Sequence, residues 1–197
     1  MEFTYTDKQT DTKIKVIRRN IVNDDNDVTL IWLSPSLHLK LNCNKDILEK
    51  VGEQYFYSLN PYKNVVKNSD CFTTMSGKLN SDTLLNCILP EIPSKYNDCF
   101  FFAAACLKEY KKENILRYVS LNLPEGKHHK IIINNIKSYF LTLGLREIRI
   151  FVDNENDFTL LQNLLSSKFD LLKNRLSFLS YYVSFKWLNL KFQISKK

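Results

Sequence analysis

Residues 114–169 read NILRYVSLNLPEGKHHKIIINNIKSYFLTLGLREIRIFVDNENDFTLLQNLLSSKF. Ile115–Leu123 is apolar and rich in β-formers, which predicts a strand. Pro124, Glu125 and Gly126 close it with turn chemistry. Ile132, Ile136, Tyr139, Phe140 and Leu143 then recur at steps of three and four, the period of a helix over Lys130–Leu143. Gly144 stands where a helix C′ residue is often glycine. Ile148, Ile150 and Val152 alternate with Arg149, Phe151 and Asp153, a strand pattern. Asn154, Asn156 and Asp157 supply capping chemistry for a second helix carrying Phe158, Leu161, Leu164 and Leu165. Strand, loop, helix, strand, helix is a βαβα unit. It predicts two parallel strands joined by a right-handed crossover, with Leu121 and Val152 on neighbouring strands.

Outward from this unit the elements are less evenly marked. Lys13–Ile21 predicts a first strand, with Ile14 and Val16 inward. Val28–Leu33 is a short apolar run whose β-branched content favours a strand, although helix stays open. Leu37, Leu39 and Leu41 alternate with His38, Lys40 and Asn42 as a strand would. A helix begins at Asn44 or Lys45 and carries Ile47, Leu48, Val51, Tyr55 and Phe56 to Asn60-Pro61. Between residues 62 and 98 the reading is loop, with one strand near Cys71–Met75 and a short helix near Leu84–Leu89. Asp98–Leu107 (DCFFFAAACL) is the most apolar run and predicts a buried central strand, paired through the turn at Lys108–Glu113 to the Ile115 strand as a hairpin. Leu179–Trp187 alternates as a half-buried strand. The expected core includes Phe101, Ala103, Ala105, Ile136, Phe140, Ile150, Val152, Leu161 and Phe169.

The chain has 197 residues, 44% of them hydrophobic and 25% charged, which points to one globular domain over residues 1–197 rather than disorder. No apolar run approaches the roughly 20 residues that cross a bilayer, and MEFTYTDKQTDTK lacks an apolar leader core. The expectation is a soluble, cytoplasmic protein. A net charge of +7 suits an anionic cofactor or an acidic protein partner. Basic residues are spread along the chain with no dense patch, which argues against nucleic acid despite the aromatic and basic run YYVSFKWLNLKF. Five cysteines with no CxxC pair read as reduced core or surface thiols, and no Cys/His pair has zinc-ligand spacing. His128 and His129 are adjacent and their side chains diverge, so the expectation is no metal.

The order and lengths of the βαβα unit resemble the core of the GNAT superfamily of acyl-CoA-dependent N-acyltransferases. LNLPEGKHHKI stands at the family's cofactor loop, VDNEN at the second strand end and SKF at the close of the second helix. The resemblance implies an α/β (α+β) fold with a mixed, mostly antiparallel sheet and a GNAT-like core. It implies acyl-CoA or acetyl-CoA bound by Leu123, Gly126, Lys127, His128, Lys130 and Asn156. Lys127 takes the family's Arg/Gln place, Lys130 and Ile132 take two places for small residues, and Lys168 replaces the closing Gly. No Tyr stands near Asn163 or Leu164 to act as the acid. Glu125 and Tyr181 are the candidates for acid–base work, with no catalytic residue fixed. Two functions follow from the resemblance: an N-acyltransferase of unknown acceptor, or a catalytically inactive GNAT-like binding or structural subunit.

Overall fold

The computed structural model describes residues 1–34, 37, 46–47, 49–62, 65–123 and 128–166. They belong to a compact unit, Met1–Ser166. Seven strands form one sheet in the order β1-β2-β7-β6-β3-β5-β4. They are β1 (Glu2–Thr6), β2 (Lys13–Ile17), β3 (Asn26–Leu33), β4 (Cys71–Met75), β5 (Ser81–Ile88), β6 (Tyr118–Asn122) and β7 (Glu147–Phe151). The helices are α1 (Glu53–Ser58), α2 (Tyr96–Glu113), α3 (His129–Asn135) and α4 (Glu155–Ser166). The α/β class holds and the sheet is mixed, but it is not mostly antiparallel. The five inner strands, β2, β7, β6, β3 and β5, run parallel, and only β1 and β4 at the edges pair antiparallel.

The βαβα unit forms as its periods predict. Leu121 on β6 lies opposite Ile150 on β7 in a parallel pair. α3 continues through a π turn at Ile136–Phe140 and a 3-10 turn at Leu141–Leu143, and Gly144 ends it at φ 63. Lys111 on α2 donates to the carbonyls of Leu143 and Gly144 at 2.8 and 3.2 Å, satisfying the helix end from a neighbouring element. Asn154 caps α4: Asp157 N donates to Asn154 Oδ1 at 2.8 Å, and Asn154 Nδ2 returns a bond to Asp157 Oδ2 at 2.8 Å.

The Asp98–Leu107 run is the main correction. It is not a central strand but part of the 18-residue α2. Tyr96, Cys99, Phe100, Ala103, Ala104 and Leu107 are its buried residues, at steps of three and one, the signature of a helix face. Phe101 is therefore half-buried and Ala105 exposed, whereas strand parity would bury both. No hairpin joins this run to β6; Lys108–Glu113 continues the helix. Leu84–Leu89 likewise is not a helix: residues through Ile88 form β5. The polar start of the chain forms β1, which alternation too weak to register had hidden. Val28–Leu33 is a strand, and Cys71–Met75 is the strand expected there. Helical residues 46–47 and 49–51 are separated from α1 by Gly52 at φ 79. The expected strands at Leu37–Leu41 and Leu179–Trp187 fall largely or wholly outside the described residues, as does Phe169.

Alternation along the strands sends two apolar sets to opposite faces. On one face Ile17, Ile31, Leu33, Leu84, Ile88 and Phe151 pack against Ile47, Val51 and Tyr55. On the other, Trp32 meets Phe100 of α2 at 5.2 Å between ring centroids, and Phe100 meets Phe140 at 5.8 Å. The sheet is thus covered on both faces, as parallel strands require. Ile136, Phe140, Ile150 and Leu161 are fully buried and Val152 nearly so, as expected. Ile136→Ala should lower the unfolding free energy by about 2–5 kcal/mol. Chemical denaturation checks this, and a loss below about 0.5 kcal/mol would place that face outside the core.

Candidate functional site

Parallel strands all present their carboxyl ends at one edge of the sheet, so loops from distant parts of the chain meet there. From β3 the chain passes to β5 on one side. α2 then carries it back past β3 to β6 on the other side, and α3 continues to β7. The direction of winding therefore reverses at β3, and in open α/β sheets the crevice outside the strand ends at such a reversal is the usual ligand site.

The two strands flanking the reversal come apart at this edge. The β3–β6 ladder runs only from Val28–Val119 to Leu30–Leu121. β3 goes on beside β5 as far as Leu33–Ile88. Beyond the ladder, the indole Nε1 of Trp32 donates to the Asn122 carbonyl at 2.7 Å. A side chain thus supplies the bond a strand amide would make, and strap and splay sit together at the edge.

Around the opening stand groups that follow each of the five parallel strands. Ser34 follows β3, and Leu89, whose amide donates to Leu33 O at 2.9 Å, follows β5. Leu123 follows β6, its side chain buried. Val152, Asp153 and Asn154 follow β7, with Val152 N donating to Ile17 O at 3.0 Å. Asp153 is exposed, yet its carboxyl is pushed above the usual range, first by partial burial and then by repulsion from Asp46 and Asp157. Asn20, after β2, donates to Asp46 Oδ2 at 2.6 Å and accepts from Val22 N at 2.9 Å. The ladder of α3 begins where Ile132 N donates to His128 O at 3.1 Å, so the amides before it point off the helix end.

Of the residues expected to hold a cofactor, Leu123, His128, Lys130 and Asn156 are described, and each lies just past the carboxyl end of β6 or β7. His128 is half-buried with its ring edge-on to Tyr96 at 5.8 Å; Lys130 and Asn156 are exposed. Gly126, Lys127, Glu125 and Tyr181 lie outside the described residues. His129 is turned away: it is buried, and its Nε2 is 3.3 Å from Asp157 Oδ1. Sequence reasoning passed over Asn20, Asp46 and Asp153. The only available signal was that polar residues directly follow the apolar runs ending at Ile17 and Val152.

A second, charged cleft of about 520 Å³ opens on the other half of the sheet. Asp24 there has a side chain only 2% exposed. It accepts from Ser120 Oγ at 2.6 Å, Arg149 Nη1 at 3.0 Å and Arg19 Nη2 at 3.1 Å. Arg149 also donates to Glu147 at 3.1 Å and to Asp25 O at 2.7 Å, and it stacks 4.6 Å over Tyr118. Lys15 is 3.3 Å from both Glu2 and Glu147. These charges answer one another, which is how a sheet interior is locked rather than how a ligand is awaited.

Comparison with solved structures identifies the architecture. The Oceanobacillus iheyensis macrodomain with ADP superposes with a TM-score of 0.71, at 14% identity, covering 84% of this chain and 96% of that one. The chain has the macrodomain fold. The macro domain of ganglioside induced differentiation associated protein 2 matches at TM-score 0.67 and 14% identity, over 82% of this chain and 88% of that one. The Trypanosoma brucei macrodomain in complex with ADP-ribose matches at TM-score 0.63 and 12% identity, over 78% and 69%. No protein-family model and no curated protein sequence matches the chain.

This corrects the GNAT resemblance and what hung on it. The βαβα unit is real, but it is shared by many α/β folds, and here it sits among the parallel inner strands of a mixed sheet with the macrodomain fold. The acyltransferase activity, the inactive GNAT-like subunit and the acyl-CoA cofactor all fall with that assignment, since the neighbours are macrodomains, among them structures with ADP and with ADP-ribose. Among the described residues no helix is long and apolar enough to cross a membrane.

The charged cleft yields a stability prediction. Arg149→Met leaves Asp24 with Arg19 and Ser120 only, and should cost about 3 kcal/mol, the lower end for breaking a buried ion pair. Burial acts to raise Glu147, but hydrogen bonds from Arg149 and Lys15 outweigh it and hold the carboxyl below its ordinary value. Its share of stability is present above the ordinary carboxylate range and is lost as pH falls through the depressed value. Urea unfolding should therefore show the largest mutant deficit at neutral pH and a smaller one in strong acid. A deficit that does not change with pH would remove Glu147 from the network.

Proposed function

We propose that this chain is a binding module for ADP-ribose or a closely related adenosine diphosphate, held at the carboxyl edge of the sheet between β3 and β6. The observation that carries this reading is the splay of β3 from β6 at the winding reversal, in a sheet whose structural neighbours include macrodomains with ADP and ADP-ribose. The chemistry at the opening agrees with such a ligand. Asp153, Asn154 and Asn20 offer oxygens that accept from an adenine amino group and ribose hydroxyls. The first-turn amides of α3, with His128 and Lys130 beside them, offer donors and positive charge to a diphosphate. On this reading His128 and Lys130, two of the residues expected at a CoA pyrophosphate, serve the diphosphate of a different nucleotide. The chain's net charge of +7 favours the approach of such an anion.

Isothermal calorimetry with ADP-ribose and ADP tests the proposal. Saturable binding of one ADP-ribose per chain is expected. Asp153→Ala should weaken it by about tenfold or more, as for loss of a hydrogen bond to a charged group. Lys15→Ala, in the other cleft, should leave affinity unchanged. Absence of heat with both nucleotides at millimolar concentration would reject the reading.

A further inference from the structure

The cysteines, read from sequence as unconnected thiols, converge in space. Cys71 on β4 and Cys87 on β5 are directly opposite each other in the antiparallel pair. Cys99 lies in the first turn of α2 that faces them. The three sulfur atoms all lie within 4.8 Å of one another. A zinc-like ion with metal–sulfur bonds of about 2.3 Å sets three trigonal thiolates roughly 4 Å apart, so the triangle is close to ligand spacing as it stands. We propose that Cys71, Cys87 and Cys99 form a three-thiolate site for a soft d10 cation, zinc(II) or copper(I).

Donor chemistry narrows the ion. The set is all sulfur, which selects thiophilic metals over magnesium, calcium or manganese. Two carboxylates adjoin the triangle in the chain, Asp70 beside Cys71 and Asp98 beside Cys99. The framework is rigid: Cys87 and Cys99 are fully buried, one in a paired strand and one in a long helix. An entry path exists as well. A cleft of about 460 Å³, walled by Tyr62, Val66, Phe72 and Phe102, opens onto Cys71 and Cys106. Cys106 Sγ lies 3.4 Å from the Cys71 carbonyl, one residue from the site but outside the triangle. The spacings in sequence, 16 residues and then 12, explain why no short motif announced it.

None of the three cysteines is among the residues assigned to the nucleotide, so metal binding is read out separately. The full-length reduced chain, purified without oxygen, is titrated with cadmium(II) and separately with copper(I). A thiolate-to-metal charge-transfer band saturating at one equivalent is expected, together with a rise in Tm. Cys71→Ser and Cys99→Ser, each checked for native circular dichroism, should lose the band and the Tm rise. Cys106→Ser should keep both. Competition with a zinc chelator and with a copper(I) chelator then shows which ion the site prefers, and tight retention of either supports it. Failure to form the band, an undiminished band in both folded triangle variants, or a Cys71–Cys87 disulfide in protein isolated without oxidant would overturn it.

Discussion

The structure depends on one constraint: parallel strands cannot be joined by hairpins. β3 has parallel partners on both sides, and the chain must leave the sheet and return each time it adds another. α2, the longest of the described helices, makes one such return, carrying the chain from β5 back past β3 to β6. Its 18 residues span about 27 Å at the helical rise, enough to run the length of the sheet. Because it lands on the far side of β3, the winding reverses there, and the strands flanking the reversal separate at their carboxyl ends. Trp32 is what allows the separation without an unsatisfied carbonyl. Its ring packs on Phe100 of α2 while its Nε1 serves Asn122. The helix that forces the reversal and the side chain that finishes the edge are thus in contact.

The same helix shows where the sequence was and was not legible. The unit from β6 to α4 could be read because each element shows a single clear period and each boundary has local chemistry, as at Gly144 and Asn154. Asp98–Leu107 could not be read by period, because a run apolar at nearly every position satisfies both two and 3.6. Length and composition were the arbiters available. Ala103–Ala105 and the Lys- and Glu-rich continuation favour helix, and the whole segment is three times the length of an ordinary strand. Read as a strand, the run predicts a hairpin to β6, and such a hairpin agrees with a mostly antiparallel sheet. Leu84–Leu89 failed for the opposite reason: a buried strand with both faces covered shows no alternation, so its five buried residues from Leu84 to Ile88 could pass for a helix turn.

The candidate site was legible in part. The end of the strand near Asn122 and the start of the helix near His129 were both readable, and they located the carboxyl edge. The partners facing it were not legible. Asn20, Asp46 and Asp153 come together only because β2 lies beside β7 and a helical turn follows β3, and both are consequences of topology rather than of local pattern. The cysteine triangle and the Asp24–Arg149 network are of the same kind. Each joins residues from separate elements through strand register, which no spacing in the chain records.

The central claim is that the splayed edge, and not the charged cleft on the other half of the sheet, receives the nucleotide. Amide chemical-shift mapping of the labelled chain titrated with ADP-ribose tests it most directly. The account predicts shifts concentrated at Ser34, Leu89, Leu123, His128, Asp153 and Asn154, with Lys15, Asp27, Tyr118 and Arg149 unmoved. Shifts centred on Arg149 and Tyr118, or no shifts at saturating ADP-ribose, would contradict it.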